Sequence, residues 1–178
     1  LTTENVKALG SGTVTLGARV YITGEVSIDT AATLVMSGAN SLASTASVKG
    51  DGRLVFDTHD TVSLDDKTAQ IGSIEVRSGT LTSTKTLQAR DLTVGADAEL
   101  STNQGTILYE GGTVHSSGTV RISVSSGTTE LTTGITNAGG VSGKLVKEGS
   151  GTLSVKSAVA AGTVQVDAGR VEVDNAHL

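Results

Sequence analysis

The sequence predicts an all-β fold: a right-handed parallel β-helix in which three short strands form each rung of a β-solenoid. Three observations support this prediction. A unit that starts with glycine recurs along the whole chain, apolar and polar residues alternate within the units, and no segment has helical periodicity. We therefore expect a sheet that coils around a narrow core and covers itself.

The recurring unit is glycine, any residue, and then an aliphatic residue. Twelve such units begin at Gly12, Gly24, Gly52, Gly72, Gly79, Gly105, Gly112, Gly118, Gly143, Gly151, Gly162 and Gly169. In most of them an apolar residue returns two positions later, as Leu16 follows Val14. This spacing places both side chains on one face of a strand. The polar residues between them are predicted to face solvent.

No segment of the chain provides helices to cover a conventional parallel sheet. Coiling the chain would let the sheet cover itself, and inward pairs that begin at Val14, Val20 and Val26 outline one such turn. At a strand spacing of ~4.8 Å, rungs of roughly 18 to 24 residues predict about eight turns and a rod on the order of 40 Å long.

Two other all-β architectures are alternatives. A β-sandwich or Greek key also has short strands, but its strands are usually longer and its core contains some aromatic residues. A left-handed β-helix requires a strict six-residue spacing, which holds from Val14 to Val26 and fails at Leu34 and Leu54. Irregular spacing favours the right-handed form.

The composition agrees with a thin core and tight turns. Of the 178 residues, 37% are hydrophobic, which is enough to build one domain and argues against disorder. Aromatic residues make up only 2%, and Phe56 is the single phenylalanine, so valine, leucine and isoleucine must fill the interior. The 23 glycines and the absence of proline indicate tight turns between regular strands.

Charge and cysteine content exclude several function classes. The net charge of -5 argues against nucleic-acid binding through phosphate neutralisation, so no nucleic-acid partner is expected. The absence of cysteine excludes disulfides and thiolate metal sites. No cofactor or metal ion is predicted.

The strongest motif lies in residues 143–173. Its first block contains Leu145, Lys147, Gly149, Gly151, Thr152 and Leu153, and its second contains Gly162, Val164, Val166, Gly169, Val171 and Val173. This stretch resembles the passenger-associated transport repeat of bacterial autotransporters. In the repeat, a Leu-x-Lys-x-Gly-x-Gly-Thr-Leu core precedes a Gly-x-aliphatic strand and an Ala-Gly-x-aliphatic strand. We expect Gly149 and Gly151 to adopt positive φ in a tight corner.

The resemblance implies type V secretion to the surface or surroundings of a Gram-negative bacterium, with the repeat aiding folding and passage. The implied partners are the protein's own translocator β-barrel and the outer-membrane assembly machinery. Residues 1–178 would then form a single β-helix segment of a longer passenger. Residues 1–8 break the rhythm and are predicted to be a partial cap, and open strand edges predict end-to-end self-association.

Ionisable residues are densest between Asp57 and Asp66. Asp57 and His59 are predicted to share a strand face, and Asp60, Asp65 and Asp66 could approach them. Such a group could bind a cation or act as an acid/base pair. Solvated side chains on an outward loop are the favoured interpretation, so no catalytic residue is assigned.

A polysaccharide-processing β-helix would need carboxylates about one rung apart on one face. Asp57, Glu75 and Asp97 have this spacing, but they lack the aromatic residues on which sugars stack. His115 and His177 have no acidic partner nearby in the sequence and are predicted to be surface residues on turns.

Three functions follow from these features. The preferred one is a structural, non-enzymatic stem that supports folding, secretion and surface presentation of an adhesin or toxin. The first alternative is an adhesin or toxin module that binds a host-cell protein or glycan. The second alternative is a β-helical carbohydrate-active enzyme.

Overall fold

The computed structural model describes residues 1–17, 19–65 and 67–173. These residues form β-strands and one 3-10 turn, η1 (Tyr109–Gly111), without any α-helix. None of the described residues belongs to a helix that is long and apolar enough to cross a membrane.

The strands are short at both ends of the chain and long in the middle. The first seven are β1 (Thr2–Thr3), β2 (Val6–Ala8), β3 (Thr13–Leu16), β4 (Tyr21–Ile22), β5 (Glu25–Ile28), β6 (Thr33–Met36) and β7 (Ser41–Leu42). Three long strands follow: β8 (Ser47–Ser63), β9 (Thr68–Ser83) and β10 (Ala89–Thr102). The last eight are β11 (Thr113–Ser116), β12 (Thr119–Ser123), β13 (Thr128–Leu131), β14 (Gly134–Asn137), β15 (Gly143–Glu148), β16 (Thr152–Val155), β17 (Ala161–Val166) and β18 (Arg170–Val173).

All pairings between these strands are parallel, and each strand pairs with its counterpart one turn away. The strands of successive rungs therefore stack in columns, which we number in chain order, so that β1, β2 and β3 begin the first, second and third columns. In the third column of strands, for example, β3 pairs with β6 and β6 with β8. In the first column, β10 pairs with β12 and β12 with β15. The result is a stack of about eight turns, so the predicted β-helix is confirmed.

The rungs begin at Thr2, Tyr21, Ser41, Thr61, Thr80, Glu99, Thr119 and Lys144, and a last partial turn begins at Ala161. Their lengths are similar but not equal. Thr13 pairs with Thr33 in a turn of typical length, whereas the turn that joins Ser73 to its partner Asp91 is shorter. The turn from Thr119 to its partner Lys144 is longer and slightly exceeds the predicted range.

Inward side chains form continuous ladders along the axis. One ladder in the third column runs through Val14, Leu34, Leu54, Ile74, Leu92, Val114 and Ile135. Its members are buried except Val14, which is half-buried in the first rung. A parallel ladder contains Met36, Phe56 and Val76, with Phe56 fully buried. The interior is thus a continuous stack of mainly aliphatic side chains, in agreement with the predominance of valine, leucine and isoleucine in the sequence.

The glycines of the recurring unit lie where one rung turns against the next. A β-carbon at Gly72 would lie 2.0 Å from the carbonyl oxygen of Asp51 in the rung before. At Gly118 it would lie 2.1 Å from the carbonyl oxygen of Gly95. At corners such as these, the repeat reflects a close approach of backbone that only glycine allows.

The cross-section of the rod changes after the sixth rung. The second column contains β2, β5 and the first parts of β8 and β9. It continues through the bridge between Leu87 and Leu108, after which the chain forms η1. In the later turns a separate sheet, β13–β16–β18, follows the first column. Most of the extra length of the rung that begins at Thr119 lies in the turn between β14 and β15, because Gly134 to Lys144 spans more residues than Thr113 to Thr119 in the rung before.

The two ends of the stack differ in exposure. Residues 1–8, predicted to be a partial cap, contribute β1 and β2 to the first rung, in parallel register with β4 and β5. At the other end, the inward-phase residues Val164, Val166 and Val173 are 37%, 46% and 43% exposed. The last partial turn therefore presents apolar side chains at the end of the described core.

Candidate functional site

The corner that follows β15 is built around a lysine inside the rod. Lys147 lies two positions after Leu145 and has the same inward phase, and both residues are fully buried. In the ladder, Lys147 stacks between Ile122 and Val166. Lys147 belongs to the predicted repeat motif, but its burial is a finding of the structure.

The Lys147 ammonium group satisfies backbone carbonyls of two successive turns. Its Nζ donates to the carbonyl oxygens of Glu148 at 2.5 Å, Gly149 at 2.6 Å and Ala168 at 3.1 Å. The first two belong to its own corner, and Ala168 lies at the matching corner of the last turn. We call this arrangement the Lys147 clamp. Burial lowers the pKa of Lys147, and the neighbouring Glu148 carboxylate opposes that shift.

The remaining motif residues give this corner its shape. Leu145 and Leu153 are buried, and Thr152 is half-buried. Gly149 has φ +75° as expected, and Gly169 at the next corner has φ +72°.

The expectation of positive φ at Gly151 is wrong, because the φ of Gly151 is not positive. It is glycine for a steric reason. A β-carbon there would lie 2.6 Å from Cγ1 of Val124 and 2.8 Å from the carbonyl oxygen of Gly127.

The second block of the motif forms the last turn. Gly162, Val164 and Val166 belong to β17, whereas Val171 and Val173 belong to β18. Val171 pairs with Leu153 and packs against the core. The motif is therefore one rung stacked on the next, with the Lys147 clamp between their corners.

An ion-pair bridge lies outside the same column. The Arg121 guanidinium donates to both carboxylate oxygens of Glu99, at 2.9 and 3.1 Å, and also to Glu148. These hydrogen bonds raise the pKa of Arg121 further above its ordinary value, and the hydrogen bonds to Glu99 contribute most. Arg121 thus connects three successive rungs through charged groups that are about one quarter to two fifths exposed.

The acidic cluster around His59 lies on the surface of the rod. Asp57, His59 and Asp60 are exposed; Asp57 accepts a hydrogen bond from Ser78 at 3.2 Å. Burial favours a higher pKa for Asp65, but hydrogen bonds from Thr84 and Ser63 hold it below its ordinary value. Asp66 lies outside the described residues.

The carboxylates that a polysaccharide-processing site would need are not aligned. Asp57 and Asp97 both lie opposite Ser78 in the register, from the rungs before and after it. Glu75 lies on the third column, where it pairs with Arg53 and Arg77. Among residues 1–17, 19–65 and 67–173, no three His, Asp or Glu side chains are close enough to hold a metal ion.

Stacking gives His115 a neighbour that the sequence did not reveal. Its Nε2 lies 4.0 Å from Oδ1 of Asp91, and its Nδ1 lies 3.0 Å from the hydroxyl of Thr136. These residues come from the rungs on either side of β11. His115 is half-buried on a strand and not on a turn, which corrects the expectation from the sequence. His177 lies outside the described residues.

Comparisons with family models, curated proteins and solved structures found no match to this chain.

Proposed function

We propose that this chain is a structural stem of a bacterial autotransporter passenger, which supports folding, export and surface presentation of an adhesin or toxin. The observation that carries the proposal is the Lys147 clamp, which gives the transport-repeat resemblance of residues 143–173 a physical role. The proposed partners are the translocator β-barrel and the outer-membrane assembly machinery during export.

The clamp suits a chain that folds one rung at a time. Each new rung of a solenoid must pair with the previous one before its own core is covered. Lys147 adds a hydrogen-bond donor to the half-buried carbonyls of its own corner, and through Ala168 it holds the matching corners of two turns together. A locked C-terminal pair of turns would provide a template on which further rungs stack.

Surface display in a Gram-negative host, with the chain in its natural precursor, tests the proposal. We expect Lys147→Met to reduce display severalfold, because the hydrogen bonds from the ammonium group to the two corners are lost while the volume of the side chain is nearly kept. Lys144→Met is the matched control, since Lys144 lies on the same strand in the opposite, outward phase. Deletion of residues 143–173 should reduce display further.

Normal display of both Lys147→Met and the deletion variant would contradict a role in export. Thermal unfolding of the purified chain shows whether Lys147→Met still folds. A variant that folds but is poorly displayed supports the proposal most directly.

A further inference from the structure

The outer face of the second column is a continuous groove. Four depressions adjoin one another, because each has at least one of Asp51, Thr68, Gln70 and Gln88 in common with a neighbouring depression, and the two largest have volumes of about 620 and 650 Å³. The groove starts at Gly10 in the first rung and reaches Gln104 and Tyr109 in the sixth. At ~4.8 Å between rungs, it is roughly 24 Å long.

A strained residue projects into this groove. Gln70 has φ +54° and is the only described residue other than glycine with positive φ. The register explains its position: Lys49 pairs with Ala69 and Gly50 with Ile71, so Gln70 is the extra residue of a bulge. Its side chain is exposed and lines two of the depressions. Bulges and strained backbone at such positions commonly re-aim a side chain for function.

Amides and hydroxyls dominate the groove. Gln70, Gln88 and Gln104 line it from three successive rungs, together with Thr68 and Thr84. The side-chain amide of Gln104 donates to the Thr84 carbonyl at 2.9 Å, which orients that amide. Amides and hydroxyls both donate and accept hydrogen bonds, so they can pair with neutral hydroxyl-rich ligands.

Most charged groups along the groove have partners within the protein. Lys49 forms an ion pair with Glu25 at 2.6 Å, and Arg90 pairs with Asp51. Asp29 accepts a hydrogen bond from the backbone N–H of Gly10 at 2.9 Å. Lys49 and Arg90 are thus neutralised by carboxylates and do not offer the free positive charge that a polyanion would require.

The geometry also disfavours an added peptide strand. Backbone N–H and C=O groups of the second column pair along the axis with neighbouring rungs, so the groove offers no free sheet edge.

At the sixth rung, Tyr109 is 52% exposed, and its aromatic ring provides a stacking surface.

We propose that this groove binds an extended, uncharged glycan chain that lies along the axis of the rod. Gln70 and Gln88 lie on consecutive rungs, ~4.8 Å apart, which is comparable to the length of one sugar unit. Tyr109 continues their position in the next rung, and Gln104 lies at the neighbouring corner beside Thr84. Gln70, Gln88 and Gln104 bind sugar hydroxyls, and Tyr109 stacks on a ring at the end of the groove. This binding function is separate from the stem role and does not depend on it.

Calorimetric titration of the purified 178-residue chain tests the proposal, with neutral hexasaccharides of glucose, mannose and xylose as probes. A hexamer of galacturonic acid serves as the anionic comparison. We expect at least one neutral hexamer to bind and the anionic hexamer not to bind. Gln70→Gly removes the amide and relieves the positive-φ strain, so it should weaken binding at least tenfold without lowering Tm. Tyr109→Ala should weaken binding by a similar factor.

Gln165→Ala is the matched control, because Gln165 is an exposed amide on β17, outside the groove. Its affinity should equal that of the unchanged chain. The proposal is overturned if no neutral hexamer binds, if only the anionic hexamer binds, or if Gln70→Gly and Tyr109→Ala leave the affinity unchanged. Because binding is measured on purified protein, a failed display experiment does not affect this result.

Discussion

The first six rungs and the later turns maintain the same rod by different means. In residues 2–116, rungs of similar length stack apolar ladders and leave a polar groove along the second column. In residues 119–173, the rung from Thr119 to Lys144 is longer, and Arg121 and Lys147 add polar connections between rungs. Ion pairs between rungs also occur in the first region, as between Arg53 and Glu75, but the second region adds the buried Lys147 clamp next to the rung whose length changes.

The junction between the two regions is the most sensitive point for a small substitution. A β-carbon at Gly105 would lie 1.7 Å from the carbonyl oxygen of Glu130, a backbone atom of the next rung. Gly105→Ala should lower the free energy of unfolding by about 3 kcal/mol or more, since backbone must move to make room. Chemical denaturation measures this loss.

Gly127→Ala is the control for Gly105→Ala. Gly127 has φ +67°, but nothing lies within 4 Å of an added β-carbon, so only the left-handed backbone is penalised. We expect a loss of about 1 kcal/mol. Equal losses for the two variants would show that the junction tolerates the closer approach.

Removal of the Lys147 clamp should give the next largest effect. Lys147→Ala leaves a cavity and removes the donor of three carbonyl bonds, so the free energy of unfolding should fall by about 3 kcal/mol. Lys144→Ala, on the outward phase of the same strand, should change it by less than about 0.5 kcal/mol. Hydrogen exchange should accelerate in residues 143–173 and stay unchanged in the first rungs. Uniform acceleration along the rod would refute separate behaviour of the two regions.

The Arg121 bridge should contribute less. Arg121→Met should cost about 1 kcal/mol at low salt, because the ion pairs are partly exposed. Arg53→Met is the comparison from the first six rungs, where the arginine side chain is 48% exposed and pairs with Glu75. Its cost should be close to zero. Denaturation at low and high salt distinguishes the variants, and a salt-independent cost for Arg121→Met would exclude an electrostatic origin.

The pH dependence of stability should reveal the buried charge of Lys147 as the smallest effect. Burial holds its pKa below the ordinary value of 10.5, so the folded state releases a proton at lower pH than the unfolded state. Between these two pKa values the unfolded chain binds more protons, and stability rises with pH. The free energy of unfolding relative to Lys147→Met should therefore increase as pH approaches 10.5. A constant or falling difference would contradict a depressed pKa.

The fold could be predicted from the sequence because inward ladders and corner glycines leave a direct pattern. Val14 is predicted to face inward, and the structure places it on one ladder with Leu34 and Leu54. The separate sheet β13–β16–β18 cannot be recognised from the sequence, because apolar and polar residues alternate in its strands with the same period of two as in the other strands.

The polar features depend on which rungs stack, and that is harder to read from one chain. Asp91 reaches His115 only through a neighbouring rung, and Gln70 becomes a bulge only through its register with β8. Lys147 lies two positions after the inward Leu145 and so has the same phase, but lysine is rarely buried, and the sequence alone does not place it in the interior. Composition alone does not reveal such contacts.

The direction of the backbone hydrogen bonds has a mechanical consequence. Strands run across the rod, so the bonds between rungs point along its axis. Tension applied between the two ends would open these bonds one rung at a time, as in a zipper, and would not shear them together. Each opening would release the chain of one rung, such as the segment from Thr13 to Thr33. A released segment of this size spans roughly 70 Å when extended, so the rod could lengthen many times over under a small, steady force.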